Sequence, residues 1–277
     1  MRIILIGYSG SKKILSTSSY LLKKYMPNEF DIFFLNYGDY TEELAIGTYV
    51  SLDDEQRGGS NSWSRYLIEY LSKLTDDIII FGLDDYLLSH PLDHSSYLDL
   101  VNRMIKDSSI GCAKLGISPS YRVSDYDVVE DPVYMLNGQA NYAATTQLCI
   151  WRRHLLIDVL SKINNPWEFE LIGSDYIQKM DVKVIGSLKI PLKYPEPSSI
   201  SGRHPGKISV LGNQVDDIEK CIKLGYLQEE DLIMGQWIGS VKSYSECKTD
   251  IYSSLDECPY GEKQYYKMLL DICLKSD

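Results

Sequence analysis

The stretch from Thr75 to Tyr86, TDDIIIFGLDDY, constrains the fold more than any other part of the chain. Ile78, Ile79, Ile80 and Phe81 form an apolar run without polar alternation, which suits a strand buried on both faces of an α/β sheet. The run passes through Gly82 to two adjacent acids, Asp84 and Asp85. Ligands of open α/β sheets bind outside the carboxyl ends of the strands. Two carboxylates there, beside a glycine that permits close approach, can hold a hard divalent cation such as Mn²⁺ or Mg²⁺, which in turn can hold a diphosphate. Aspartates after strands also serve as turn and capping residues, so the pair alone leaves both roles open.

The flanking sequence supplies the rest of such a sheet. Ile3 to Ile6 read as a first strand, Thr17 to Ser19 as the start of a helix stopped by Pro27, and Asp31 to Leu35 as a second strand. That spacing predicts parallel pairing through a crossover. Trp63, Tyr66, Leu67, Tyr70, Leu71 and Leu74 follow the helical apolar period and lead into the Ile78 strand. A helix around Leu98 to Ile105, a strand over 110–115, short antiparallel strands within 121–138, and a strand from Ala143 to Trp151 running into a helix come next. A short helix over 171–180 and a strand over 182–188 complete the reading of this region. The predicted organisation is a catalytic domain over 1–195, a Pro-, Ser- and Gly-rich linker or mobile loop over 196–214, and a small helical C-terminal extension over 215–277.

Composition excludes several classes. A net charge of −11 opposes nucleic acid as the main partner. The 6 cysteines include no C-x-x-C pair, which disfavours a zinc ribbon or a thioredoxin-like motif. MRIILIG is too short for a signal-peptide core, and no apolar run reaches the length of a transmembrane segment. These features predict a cytoplasmic protein, with peripheral association at the inner face of the cell membrane as its one route to a lipid.

Three further groups carry chemistry. In Trp167-Glu168-Phe169-Glu170 a carboxylate at a strand-to-helix junction can act as the base that a sugar hydroxyl requires, or can cap the helix. Ser201 to Lys207 place His204 between Arg203 and Lys207, either a loop that closes on a diphosphate or a solvated basic loop. Gly7-Tyr8-Ser9-Gly10 follows the first strand but lacks both G-x-G-x-x-G and G-K-[ST], which argues against a dinucleotide or ATP-hydrolysing site. Tyr8 there can stack on a base or pack.

The order of KKYMP, SWSRYLIEYLSKLTDDIIIFGLDDYLLSHPLD, QLCIWRRHLL and NPWEFE over roughly residues 1–195 resembles bacterial GT-A-fold glycosyltransferases related to glycosyltransferase family 2, of the capsule and lipopolysaccharide type. The resemblance implies an α/β nucleotide-diphospho-sugar fold with a mostly parallel central sheet flanked by helices. It implies an inverting enzyme that moves a sugar from a nucleotide-diphosphate donor, foremost a UDP-sugar, to a hydroxyl of a glycan or lipid-linked glycan.

By that resemblance Asp85, Asp84 and His204 hold the metal. The resemblance also points to the Trp167–Glu170 segment for the base, Glu170 or else Glu168; from the residues themselves, Tyr8, Ser9, Trp63, Asp84, Arg203 and Lys207 are expected to bind the donor and Tyr86 and Trp167 to wall the acceptor. The sequence departs from the family in reading L-D-D-Y rather than D-x-D. Two alternatives stand beside this reading. One is a sugar nucleotidyltransferase, for which GYSGSKK offers a reduced basic loop. The other is a non-catalytic glycan-binding protein on the same fold.

Overall fold

The apolar runs build a single large sheet. A computed structural model describes residues 1–7, 9–52, 63–116, 125–130, 132–138, 140–194, 208–210 and 214–234. In the nine-stranded sheet the strand order is β3-β2-β1-β4-β8-β5-β9-β7-β6. The strands are β1 (Arg2–Ile6), β2 (Asp31–Tyr37), β3 (Thr48–Leu52), β4 (Ile78–Leu83), β5 (Ile110–Lys114), β6 (Tyr126–Glu130), β7 (Val133–Leu136), β8 (Cys149–Arg152) and β9 (Lys183–Ser187). All but β7 and β8 run the same way, so the sheet is mostly parallel, as expected. β8 lies antiparallel between β4 and β5.

Helices cover both faces, and the side chains of β1 show why the strands need no polar alternation. Ile4 and Ile6 join one core with Leu67 of α2 (Trp63–Ser72), Leu156 of α4 (Arg153–Leu160) and Phe169 of α5 (Pro166–Gln178). Ile3 and Leu5 join the opposite core with Leu22 of α1 (Leu15–Tyr25) and Leu100 of α3 (His94–Lys106). Successive side chains of a strand point to opposite faces, so both registers must be apolar.

Several boundaries differ from the sequence reading. α1 starts before Thr17, because the serines expected to cap it face inward instead; Ser19 Oγ bonds both the amide and the carbonyl of Ile46 at 2.7 Å. The strand expected from Ala143 begins only at Cys149; over 143–146 much of the backbone bonding goes to the side chains of Lys114, Ser174 and Glu170 instead of a continuous strand ladder. α5 begins at Pro166, not Leu171, with Asn165 as its cap.

Asp93 caps α3. Its carboxylate accepts from the amides of Ser95 (3.1 Å) and Ser96 (3.2 Å) and from both hydroxyls. Partial burial pushes this carboxyl up, but the Ser96 and Ser95 donors outweigh it and leave the group below the ordinary aspartate range. Asp93→Ala is expected to cost about 1 kcal/mol, read from the urea midpoint. A lowered folded value means that the contribution is complete above the unfolded aspartate value of about 3.9 and is lost as pH falls through the folded one. The wild-type and variant stabilities should therefore converge in acid.

Residues 214–234 pack on α1. α6 (Val215–Lys223) contributes Ile218 and Cys221 to a small core with Ile14, Leu21 and Leu87. Asp217 receives hydrogen bonds from Lys24 and Tyr25. The buried Gln214 donates to the carbonyls of Leu87 and Leu88, both at 3.1 Å. Strands β10 (Ile208–Val210) and β11 (Leu232–Met234) form a parallel pair, so the end of this segment is a strand where a helix was expected. Residues 235–277 of the extension expected to be helical, and most of the linker, lie outside the described residues.

Candidate active site

The strand order reverses its progression at β1, with β2 and β3 on one side and β4 on the other. The helices that follow β1 and precede β4 lie on opposite faces. The carboxyl ends of β1 and β4 sit side by side at this reversal, the usual position of a ligand crevice in such a sheet. Asp84 and Asp85 leave β4 at this crevice, and a 3-10 turn, Ser9–Ile14, leaves β1 opposite them.

The two aspartates have different environments. Asp84 is 2% exposed. Its amide donates to the Ile6 carbonyl at 3.2 Å, and its Oδ2 accepts from Ser11 Oγ at 2.8 Å. Asn36, at the end of β2, donates to the same Ser11 oxygen at 3.2 Å. Burial, and then the charge of Asp85, push the Asp84 carboxyl well above the ordinary range; the Ser11 and Asn36 donors offset this only in part. Asp84 thus ties together the ends of β1, β2 and β4, and it is poorly suited to be a cation ligand. Asp85 is half-buried. It is the carboxylate that fits a hard cation, since Mg²⁺ and Mn²⁺ sites often use one or two protein carboxylates and complete the shell with phosphate and water. Among the described residues no group of three or more His, Cys, Asp or Glu side chains gathers as a ready cation cage.

Tyr86 is 4% exposed and packs edge-on against Tyr194, with ring centroids 4.8 Å apart. Burial pushes its phenol well up, and the nearby charges of Asp85, Tyr194 and Glu170 push it further, with Thr146 opposing them. With so little of its ring exposed, Tyr86 is an interior packing residue and not the acceptor wall expected.

The segment before β8 completes the site. Glu170 Oε1 accepts from Thr146 Oγ1 (2.7 Å), the Thr146 amide (3.0 Å) and Thr145 Oγ1 (3.2 Å). The Leu83 amide donates to the Thr146 carbonyl at 3.0 Å, which joins this segment to the end of β4. Lys114, 2% exposed at the end of β5, donates to the carbonyls of Tyr142 (3.0 Å) and Ala143 (2.7 Å). Thr145, Thr146 and Lys114 were not anticipated, because nothing in their local spacing distinguishes them.

The remaining expected residues separate clearly. Glu168 is a cap: its Oε2 accepts from the Asn164 amide (2.8 Å) and side chain (3.0 Å), while its own amide donates to Asn165. Trp63 is corrected from a donor wall to a core residue. It is 4% exposed and packs against Phe81 and Phe169, because it lies on the apolar stripe of α2. Gly82 makes room for Leu148 rather than for a ligand, since a Cβ there would lie 3.1 Å from Leu148 atoms. Trp167 is 67% exposed on α5, one helical turn from Glu170. Ser9 opens the 3-10 turn. Tyr8, Arg203, His204 and Lys207 lie outside the described residues.

Comparison with known proteins gives distant likenesses of fold. UDP-glucose pyrophosphorylase complexed with UDP-glucose aligns at 13% identity and a TM-score of 0.43, over 80% of this chain and 98% of that one. A CMP-2-keto-3-deoxy-manno-octonic acid synthetase complexed with CTP aligns at 15% identity and a TM-score of 0.41, over 66% and 87%. TarS of S. aureus aligns at 13% and 0.40, over 67% of this chain and 36% of that one. At such identities the likeness is one of fold outline alone. No family model matches the chain, and no curated protein does.

Proposed function

We propose that the chain acts on a nucleotide sugar, and that it is an inverting, cation-dependent glycosyltransferase of bacterial surface polysaccharide synthesis. The observation that carries this reading is the bonded path from the β4 end that bears Asp85 to Glu170: the Leu83 amide donates to the Thr146 carbonyl, and Thr146 in turn donates to the Glu170 carboxylate. In this reading Asp85 binds the donor through a divalent cation, and Glu170 receives the proton of the acceptor hydroxyl. The acceptor oxygen bonds to the anomeric carbon as that carbon's bond to the diphosphate oxygen breaks, and the leaving electron pair departs on the diphosphate. A bound Mn²⁺ or Mg²⁺ supplies neutralising charge to that leaving group. The acceptor is a hydroxyl of a glycan or lipid-linked glycan. No described helix is long and apolar enough to cross a membrane.

Calorimetric titration of UDP, GDP, CDP and ADP, with and without Mn²⁺, tests the site. One member should bind in a metal-dependent manner. Asp85→Ala should reduce that affinity at least about tenfold, a loss of about 1.4 kcal/mol. Asp84→Asn should retain it, because Asp84 faces the Ser11 hydroxyl in the interior. Equal affinity in wild type and Asp85→Ala would remove the cation role from Asp85. Release of pyrophosphate from a nucleoside triphosphate and a sugar phosphate would replace glycosyl transfer by nucleotidyl transfer.

A further inference from the structure

We infer that Thr146, with Thr145 beside it, is a positioning residue that fixes the Glu170 carboxylate by one oxygen and presents the other to the acceptor. This rests on the reading of Glu170 as the base.

Three donors converge on Oε1, two of them from Thr146 alone. A carboxylate oxygen has two lone-pair sites, so Oε1 is fully engaged. Among the described residues none donates to Oε2. The two oxygens of one side chain are thereby given separate tasks, one as anchor and one as proton acceptor. The terminal torsion of a glutamate is otherwise broad and roughly two-fold, and a base must lie within hydrogen-bond reach of the proton it takes.

The anchor is itself rigid, as positioning requires. Residues 142–146 are held from three directions. The buried Lys114 ammonium grips the carbonyls of Tyr142 and Ala143. Ser174 Oγ, 4% exposed on α5, accepts from the Ala144 amide at 3.0 Å. Leu83, immediately before Asp84, donates to the Thr146 carbonyl. Tyr142 takes a φ of 57°, a conformation that a non-glycine residue adopts at a cost and keeps where its surroundings impose it. The segment joins the β4 end that carries Asp85 to the helix that carries Glu170. The distance between cation ligand and base is set through it.

The test compares Thr146→Val and Thr146→Ser with wild type and Glu170→Gln. Nucleoside diphosphate release is followed from UDP-glucose, UDP-N-acetylglucosamine, GDP-mannose and CDP-glucose with Mn²⁺, alongside a crystal structure of Thr146→Val. Valine keeps the volume and removes the hydroxyl. Turnover should fall about 10- to 100-fold, with the donor KM within about twofold of wild type, and serine should restore it. The Glu170 carboxylate should leave its place beside Thr145 in the valine variant. Loss in Glu170→Gln with wild-type turnover in Thr146→Val overturns the positioning role and leaves the base reading standing. Wild-type turnover in Glu170→Gln, or no turnover of any of these sugars by wild type, overturns the base reading and the inference with it. A rise in KM that matches the fall in kcat, or an unmoved carboxylate, leaves Thr146 a structural residue and overturns the inference alone.

Discussion

Glu170→Gln is expected to lower turnover of the nucleotide sugar by about 10²- to 10⁴-fold, the span that general base catalysis supplies, while donor affinity stays at the wild-type level. Glutamine keeps the length of the side chain and an oxygen for the Thr146 donors, but it cannot take a proton. Glu168→Gln is the matched control, because Glu168 is engaged with Asn164 at the start of α5. It should leave turnover unchanged and cost at most about 1 kcal/mol of stability. Single-turnover measurement at saturating donor separates the chemical step from binding. Equal losses in the two variants would argue for a helix-packing effect and against a base at Glu170.

Gly7→Ala should be the most damaging single-methyl change in the crevice. Gly7 continues the ladder of β1, its amide donating to the Leu35 carbonyl at 2.9 Å. A Cβ at this position would lie 1.9 Å from Asp84 Oδ2 and 2.4 Å from Ser11 Oγ. Neither atom can withdraw freely, since Asp84 is buried and both belong to the bonded set that includes Asn36. Inserting bulk into a packed interior costs about 1–3 kcal/mol, and breaking the Ser11 bond to a buried carboxyl adds about as much. Guanidinium unfolding should show a lower midpoint with the slope unchanged. A wild-type midpoint would mean that the Asp84 side chain relocates without penalty and that its network does not hold the strand ends together.

The parts of this molecule that are legible in its sequence are those specified by periodicity. The non-alternating run at Ile78–Phe81 fixes a strand with both faces covered, and the stripe on Trp63, Tyr66, Leu67 and Leu71 fixes the helix that feeds it. Strand direction follows from the crossover, so the placement of Asp84 and Asp85 at a carboxyl end is legible too. What separates the two aspartates is not. One faces Ser11 and Asn36, residues 73 and 48 positions earlier in the chain, and only the fold brings these together. The same stripe that marks α2 already places Trp63 in the core; reading it as an aromatic wall for sugars set the residue type above its position. Lys114 gives the opposite lesson. A single lysine closing the run IGCAK reads as an ordinary strand end, and its burial becomes comprehensible only with the two carbonyls that receive its ammonium. The cap at Asn165 and Pro166 has a known signature, and it moves the start of α5 far enough that Glu168, not Glu170, lies in the first turn.

The antiparallel seat of β8 between β4 and β5 has a consequence for how the chain matures. β4 ends at Leu83 and β5 at Lys114, yet the strand that joins them spans Cys149–Arg152. During synthesis, both β4 and β5 are complete long before their shared neighbour leaves the ribosome. Each then presents an unpaired apolar edge, the kind of surface on which strands from other chains add. The crevice is unfinished over the same interval, because the segment that reaches Glu170 immediately precedes β8. Solubility of nascent chains truncated before residue 149 should therefore depend on chaperones, and that dependence should fall once Arg152 and the helix after it have emerged.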